Sequence, residues 1–408
     1  MNNLLRNLGK SLTTNKLFLL IGILFVSFNL RPAITAVGPL VSSIREDIGI
    51  SNGIAGFITT LPLLSFALFS FLAPKLSNRF GRQIMIFIGM VTLTLGILVR
   101  SSGFVSLIFI GTALIGVGIA IANVLLPSII KAHYPQKIGL MTGIYTTAMC
   151  VFAAIGSGLS KPIVENFEVE WRTSLLLWSC LAFIAVLVWI PQLKTSSPPK
   201  KVQHLTHTNT NMWRSTLAWK VTIFMGLQSF LFYCMIAWLP EILYYQGLSI
   251  VTAGWMLSIM QLAGLPMNFL IPVFAERSLD QRGLVLGIGS FYLVGLGSLL
   301  SGEVLLITIG VLLIGLGQGA SLSLALTLFG LRSENAKQAA ELSGMAQTVG
   351  YTLAAIGPVF IGLLLDFTHS AFLPLIVFFI IVLVMIIAGY GAGQNQTIIE
   401  QVKHKNVM

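Results

Sequence analysis

The stretch FVSFNLRPAITAVGPL, residues 25 to 40, sets one arginine, Arg31, and two prolines inside an apolar run. A guanidinium stays charged at any accessible pH, and its planar fork of donors matches a carboxylate or another small planar anion through paired hydrogen bonds. At the centre of a bilayer the same charge costs about 2.5 to 3.5 kcal/mol on insertion scales, and a mid-run position gives it no easy route to the interface. Something must compensate it. On a helix Ser27, Arg31, Thr35 and Gly38 follow at steps of four, four and three, forming one polar, small-residue stripe that turns Arg31 inward. Pro32 cannot donate to the carbonyl of Phe28, and Pro39 frees that of Thr35, so the helix is expected to bend and to leave spare acceptors. Two roles stay open for Arg31: a tie for those carbonyls, or the anchor of a bound anion.

The acids bear on that choice. Glu46, Asp47, Glu165, Glu168, Glu170, Glu241, Glu303 and Asp366 fall in or near one set of connections, and Glu276, Asp280, Glu334, Glu341 and Glu400 fall in the other. None sits near the middle of an apolar run, which favours the anion. Glu241, directly after Pro240, is the one acid placed to reach inward. Other polar side chains at the same depth are candidate company for Arg31. Ser258, Gln261, Leu265 and Asn268 share one helical face, Gln347 and Tyr351 another, and Asn123 and Pro127 a third. Tyr145, Gln228, Tyr233, Trp238 and Gln318 are isolated in apolar surroundings. For each of them, hydrogen bonding between helices is an equal alternative to ligand contact. Asn29 lies on the far side of the helix from Arg31 and is expected to brace a neighbour.

The elements that must hold these residues follow from composition. Of 408 residues 56% are hydrophobic and 9% charged, far below the charge of a water-soluble domain, so the chain is an integral membrane protein. A bilayer core about 30 Å thick takes around 20 apolar residues per helix. Twelve such windows recur: 17–41, 53–74, 83–101, 104–130, 139–160 and 172–190, then 217–243, 250–274, 283–300, 303–330, 338–364 and 370–391. They are continuous, unlike the short alternating segments of a β-barrel, so the expected class is all-α with twelve transmembrane helices. The polar stretch 191–215 reads as a linker between bundles 1–190 and 216–408.

Basic residues fix the expected orientation. With both termini cytoplasmic, the inner segments collect most of the Lys and Arg, while the outer loops keep only Arg45, Arg100, Lys161 and Arg172. The net charge of +11 thereby belongs to the lipid surface and not to a nucleic-acid partner. The halves also repeat. LAPKLSNRF at 72–80 matches LIPVFAERS at 270–278, LIGVG at 114–118 matches LIGLG at 313–317, AAIG recurs at 153–156 and 354–357, and GIS at 49–51 parallels GLS at 247–249. All four pairs share an offset of about 200 residues.

Two six-helix repeats, a central linker and a basic loop after the second span together resemble the major facilitator superfamily. Its loop motif is met in part by PKLSNRFGRQ, which supplies Arg79, Gly81 and Arg82 but has Pro74, Asn78 and Gln83 where the family has Gly, Asp and a basic residue. Within the superfamily NLRPAITAVGPL at 29–40, PSIIK at 127–131 and IAWLP at 236–240 are similar to motifs of the cyanate and 2-nitroimidazole transporter group.

The resemblance implies a secondary transporter that alternately exposes one central site to the two sides of the cytoplasmic membrane and moves a small anionic or polar organic solute. The expected binding residues are Arg31, Thr35, Asn123, Tyr145, Gln228, Tyr233, Trp238, Gln261, Gln347 and Tyr351. Asn78, Arg79, Arg82, Arg277 and Arg282 are the expected cytoplasmic gate. A passive channel or a ligand-sensing receptor would be the alternatives. The five histidines show no metal-ligand spacing and no phosphate-cradling GxxxxGK[ST] is present, so neither a cofactor nor an enzyme activity is expected. Proton coupling, uniport and exchange stay open, and a monomer in contact with lipid is the expected state. Cys150, Cys180 and Cys234 are expected to be buried singly, without a disulfide.

Overall fold

A computed structural model describes residues 2–50, 52–194, 212–368 and 370–398. Most of the linker expected at 191–215 lies outside these. The regular elements of the described residues are all helices, with no strand among them, and twelve helices are long and apolar enough to cross a membrane. Lipid offers no partner for an exposed N–H or C=O, so each apolar window closes its hydrogen bonds within itself.

In chain order the helices are α1 (Asn2–Asn29), α2 (Pro32–Thr35), α3 (Val41–Ile48), α4 (Asn52–Phe80), α5 (Arg82–Arg100), α6 (Val105–His133) and α7 (Ile138–Phe167). They continue as α8 (Trp171–Leu193), α9 (Thr216–Tyr245), α10 (Ile250–Arg277), α11 (Arg282–Leu299), α12 (Val304–Leu331), α13 (Ala336–Thr368) and α14 (Phe372–Ala392). The first span is the exception to one helix per window. It comprises the end of α1, the single turn α2 and a 3-10 turn at Gly38–Leu40.

The chain divides into two compact units, Met1–Ile129 with Ala148–Leu205, and Ile130–Thr147 with Thr206–Met408. In the first, α1 and α5 pack on α8. Gly96 and Gly111 bring α5 and α6 into backbone contact, since a Cβ on Gly96 would fall 2.8 Å from the carbonyl oxygen of Gly111. In the second, the most extensive pairings are α9 with α13 and α10 with α12. The latter closes over Gly264, Gly315 and Gly319, and a Cβ on Gly264 would lie 2.9 Å from the carbonyl oxygen of Gly315. Without a hydrophobic force between helices in lipid, such small-residue contacts supply the dispersion energy of association.

Segment 130–147, inside the first half by sequence, packs with the second unit. Glycine again explains the closeness. A Cβ on Gly143 would approach the carbonyl oxygen of Phe269 to 2.9 Å, and Gly139 lies against the carbonyl of Pro272. Thr146 Oγ1 donates to the carbonyl oxygen of Asn268 at 2.9 Å, and the Leu140 N–H donates to Glu276 Oε2 at 3.3 Å.

Candidate functional site at the break in the first span

The expected bend is a break. Leu30 N–H turns back to the carbonyl of Ser27, and Arg31 leaves the helical region with φ −129° before Pro32 starts α2. Ser27, Arg31, Thr35 and Gly38 therefore do not form one continuous helical stripe. Ser27 Oγ is spent on the carbonyl of Ile23 at 2.6 Å. Proline at the first helical position has no N–H to lose, and its fixed φ suits the restart.

Arg31 caps this restarted turn with its backbone and is half-buried. Its carbonyl accepts from the N–H of Ile34 at 2.9 Å and of Thr35 at 3.0 Å. The short turn is pinned on α7: Thr35 Oγ1 donates to the carbonyl of Ala153 at 2.9 Å, and Gly156 receives Pro32 so closely that a Cβ would sit 3.0 Å from the proline Cα. One turn earlier Phe28 stacks on Phe152 with centroids 4.2 Å apart. On the other side Asn29 Nδ2 donates to the carbonyl of Phe25 at 2.8 Å and to that of Leu181 on α8 at 3.3 Å, the bracing role expected for it. The guanidinium of Arg31 is near enough to Cys150 to act on it electrostatically. A half-buried, always-charged fork on a broken helix, held from two sides by neighbouring backbone, can bind and orient a planar anion while excluding bulk water on its protein side.

Of the other expected binding residues, Asn123 is half-buried on α6 within the same unit as Arg31 and Thr35. Tyr145, Gln228, Tyr233, Trp238, Gln261, Gln347 and Tyr351 belong to the second unit. Tyr145 is buried within segment 130–147. Gln228 bonds Ser229 Oγ at 2.8 Å, and Gln347 bonds Ser343 Oγ at 2.8 Å. Tyr351, on α13, is buried, while Tyr233 on α9 is half-buried with its ring edge-on to Phe232. Trp238 braces α9 on α13, its Nε1 donating to the carbonyl of Pro358 at 2.6 Å and its ring lying over Gly362. Gln261 and Ser258 are exposed whereas Asn268, on the same sequence face of α10, is buried.

The expected gate residues are placed as follows. Asn78, Arg79 and Arg277 are exposed, and Arg79 lies by the Phe80 ring at 5.3 Å. Arg82 is half-buried at the start of α5, and Arg282 stacks on Tyr390 at 4.9 Å. Cys234 is buried as expected, but Cys150 is only partly so and Cys180 is exposed on the outside of α8. Among the described residues no three His, Cys, Asp or Glu groups gather as a metal site. A hollow of about 260 Å³ among Tyr245, Gln246, Leu300, Ser370, Ala371 and Phe372 contains no charged side chain.

Two arginines that the sequence counts as loop charges at window ends are buried. Arg100 is the last residue of α5 and is 1% exposed. The tilt of helical side chains toward the N-terminus is the signal that could have found it, because it swings Arg100 back into the span. Arg332, at the end of α12, is also buried; its Nε donates to the carbonyl of Ala392 at 2.7 Å and its Nη2 to Gln281 Oε1. Burial lowers its pKa to about 10, which leaves it a cation at neutral pH.

Comparison with known proteins places this geometry. Residues 17–358 match the model of the Major Facilitator Superfamily. The chain is 53% identical to the uncharacterized transporter YycB of Bacillus subtilis over 95% of this chain and 96% of that one. It is 39% identical to the 2-nitroimidazole transporter of Escherichia coli over 94% of this chain and 97% of that one. To the cyanate transport protein CynX of Escherichia coli it is 26% identical, with coverage of 85% and 89%. The solved structure of the proton:xylose symporter XylE superposes with a TM-score of 0.74 at 13% identity, covering 97% of this chain and 99% of that one.

Proposed function

Since the chain belongs to the major facilitator superfamily, and within it to the group of the cyanate and 2-nitroimidazole transporters, we propose that it carries a small anionic or polar organic solute across the cytoplasmic membrane. It does so by alternating access, with Arg31 as the solute's anchor. The class of solute is cyanate-like, a carboxylate or a nitro compound: carboxylate and nitro groups offer the paired acceptors that a guanidinium fork matches, and linear cyanate offers one charged end to it.

The observation that carries the reading is the break in the first span at Arg31. A membrane helix gives up backbone hydrogen bonds at depth only where protein or a cavity makes them good. Here the break is fixed by Thr35 on Ala153 and by Pro32 against Gly156, so the backbone that carries the fork is held from α7. Asn123 belongs to the same unit as Arg31 and Thr35, and Tyr145, Gln228, Tyr233, Gln261, Gln347 and Tyr351 are the further proposed members of the binding set. Trp238 serves it indirectly by bracing α9 on α13. The basic residues around Asn78, Arg79, Arg82, Arg277 and Arg282 are the proposed cytoplasmic gate, and both termini face the cytoplasm.

Counterflow in proteoliposomes tests the reading. Vesicles preloaded with unlabelled cyanate or 2-nitroimidazole should take up the labelled compound faster than empty vesicles, as only a carrier that reorients with its solute can. Uptake indifferent to preloading would indicate a channel, and binding without uptake a receptor.

A further inference from the structure

Arg100 carries a charge that the site at Arg31 does not use. Its backbone is held where α5 meets α6: a Cβ on Gly111 would fall 2.7 Å from the Arg100 Cα. From there the side chain reaches the break in the first span. Nη1 donates to the carbonyl oxygen of Ala33 at 2.5 Å. That carbonyl is available because the N–H of Val37, its partner in a regular α-helix, turns to Ile34 at 3.2 Å as the chain tightens toward the 3-10 turn.

The other nitrogens are buried without a partner. Nε and Nη2 of Arg100 both lack one, and so do two further buried polar atoms of the same unit. These are Ser101 Oγ, on the next residue, and Trp178 Nε1, on a ring packed against the apolar cluster of Ala36, Val37 and Leu40 that follows α2. None of the ion pairs among the described residues includes Arg100. A buried cation with one hydrogen bond has an uncompensated desolvation cost. Ser101 Oγ can donate or accept, so what the surroundings of Arg100 lack is negative charge.

The chemistry of the unpaired atoms is specific. With Nη1 fixed on Ala33, the edge left over is the one formed by Nε and Nη2, whose N–H bonds run parallel and fit the two oxygens of a planar oxyanion side-on. We propose that Arg100 is a second oxyanion-binding group of this protein, distinct from Arg31, which takes a small planar oxyanion such as a carboxylate or nitrate on its Nε–Nη2 edge. The site is enclosed in the present conformation, so the anion enters as the outer end of the first unit loosens around Ser101 and α2. Through Ala33 the occupant bears directly on the turn that follows Arg31, so an anion at Arg100 stabilises the broken form of the first span.

Sodium nitrate and sodium formate, compared with sodium chloride at matched ionic strength, test this on the purified full chain. Both planar anions should raise the thermal unfolding midpoint above that in chloride, in the wild type and equally in Arg31→Gln, and the increment should vanish in Arg100→Lys, which keeps the charge and loses the fork. An increment lost in Arg31→Gln and retained in Arg100→Lys would place the anion at Arg31 alone and overturn the proposal. Should Arg100→Lys fail to fold, the wild type still decides. Phenylglyoxal modification of Arg100, mapped by mass spectrometry, should be at least threefold slower in nitrate or formate than in chloride. Equal rates in the three salts, or no modification of Arg100 in any, would contradict a site that opens and binds. Protection of Arg100 that persists in Arg31→Gln separates it from failure of the solute site.

Discussion

Thr35 Oγ1 donates to the carbonyl oxygen of Ala153 at 2.9 Å, tying the one-turn helix after Arg31 to the middle of α7. The neighbouring contact shares the task, because Gly156 leaves room for Pro32 where any side chain would collide. Together they make the position of Arg31 a property of α7 as much as of its own span.

A glycine pair on α7 tests that dependence. A Cβ at Gly156 would meet Pro32 Cα and Thr35 Oγ1 at 3.0 Å, whereas one at Gly158 would meet nothing within 4 Å. Gly156→Ala should lower solute affinity measurably, with a stability loss of about 1 kcal/mol or more from overpacking. Gly158→Ala should leave affinity unchanged and gain a little helix propensity. Binding titrations with both variants check this, and equal affinities would mean that α7 does not position Arg31.

Close glycine contacts should matter likewise in the second unit. Gly319 lies against the backbone of Gly264, while Gly283 has open space where its Cβ would be. Gly319→Val should destabilise the protein by about 1 to 3 kcal/mol or prevent its folding. Gly283→Ala should be neutral or slightly stabilising. Thermal unfolding in detergent distinguishes them.

The twelve helical spans are legible because lipid enforces a simple code: long apolar runs must be helices, and their length needs no partner to be recognised. The break at Arg31 was half-legible, since Pro32 and Pro39 announce lost hydrogen bonds but not whether the helix bends or stops. Leu30 and Arg31 decide that, and they depend on Ala153 and Gly156 across the bundle. The burial of Arg100 is hidden from sequence for a different reason. Counting basic residues at window ends assigns a charge to one side of the membrane by its Cα, and a long side chain reaches several ångströms the other way. Sequence continuity puts segment 130–147 with the first half, and Gly139 and Gly143 fit it to the backbone of α10.

Arg332 offers a test of buried charge away from the solute. It joins the end of α12 to the carbonyl of Ala392 and to Gln281, and removing it leaves both buried acceptors without a donor. Arg332→Ala should cost about 1 to 3 kcal/mol of stability for each acceptor left unmet, read as a clear fall in the unfolding midpoint. Solute affinity in the fraction that folds should be that of the wild type. A midpoint within a degree of wild type would show that the contacts contribute little.

Orientation has its own check. In a background lacking Cys150, Cys180 and Cys234, single cysteines at the exposed positions Leu279 and Glu168 should behave oppositely toward an impermeant thiol reagent in intact cells. Glu168→Cys should label and Leu279→Cys should resist until the cells are opened. The reverse pattern would invert the topology.

Calorimetric titration of folded, monodisperse protein with cyanate and with 2-nitroimidazole, comparing Arg31→Lys and Arg31→Gln with the wild type, tests the central claim most directly. Lysine keeps the charge without the planar fork, and glutamine keeps some donors without the charge. For cyanate both variants should bind more weakly, with glutamine the more damaging at about tenfold or more, or about 1.4 kcal/mol. For the neutral nitro compound the glutamine variant should keep measurable binding. Wild-type affinity for both compounds in both variants would contradict the account and leave Arg31 a structural residue of the first span.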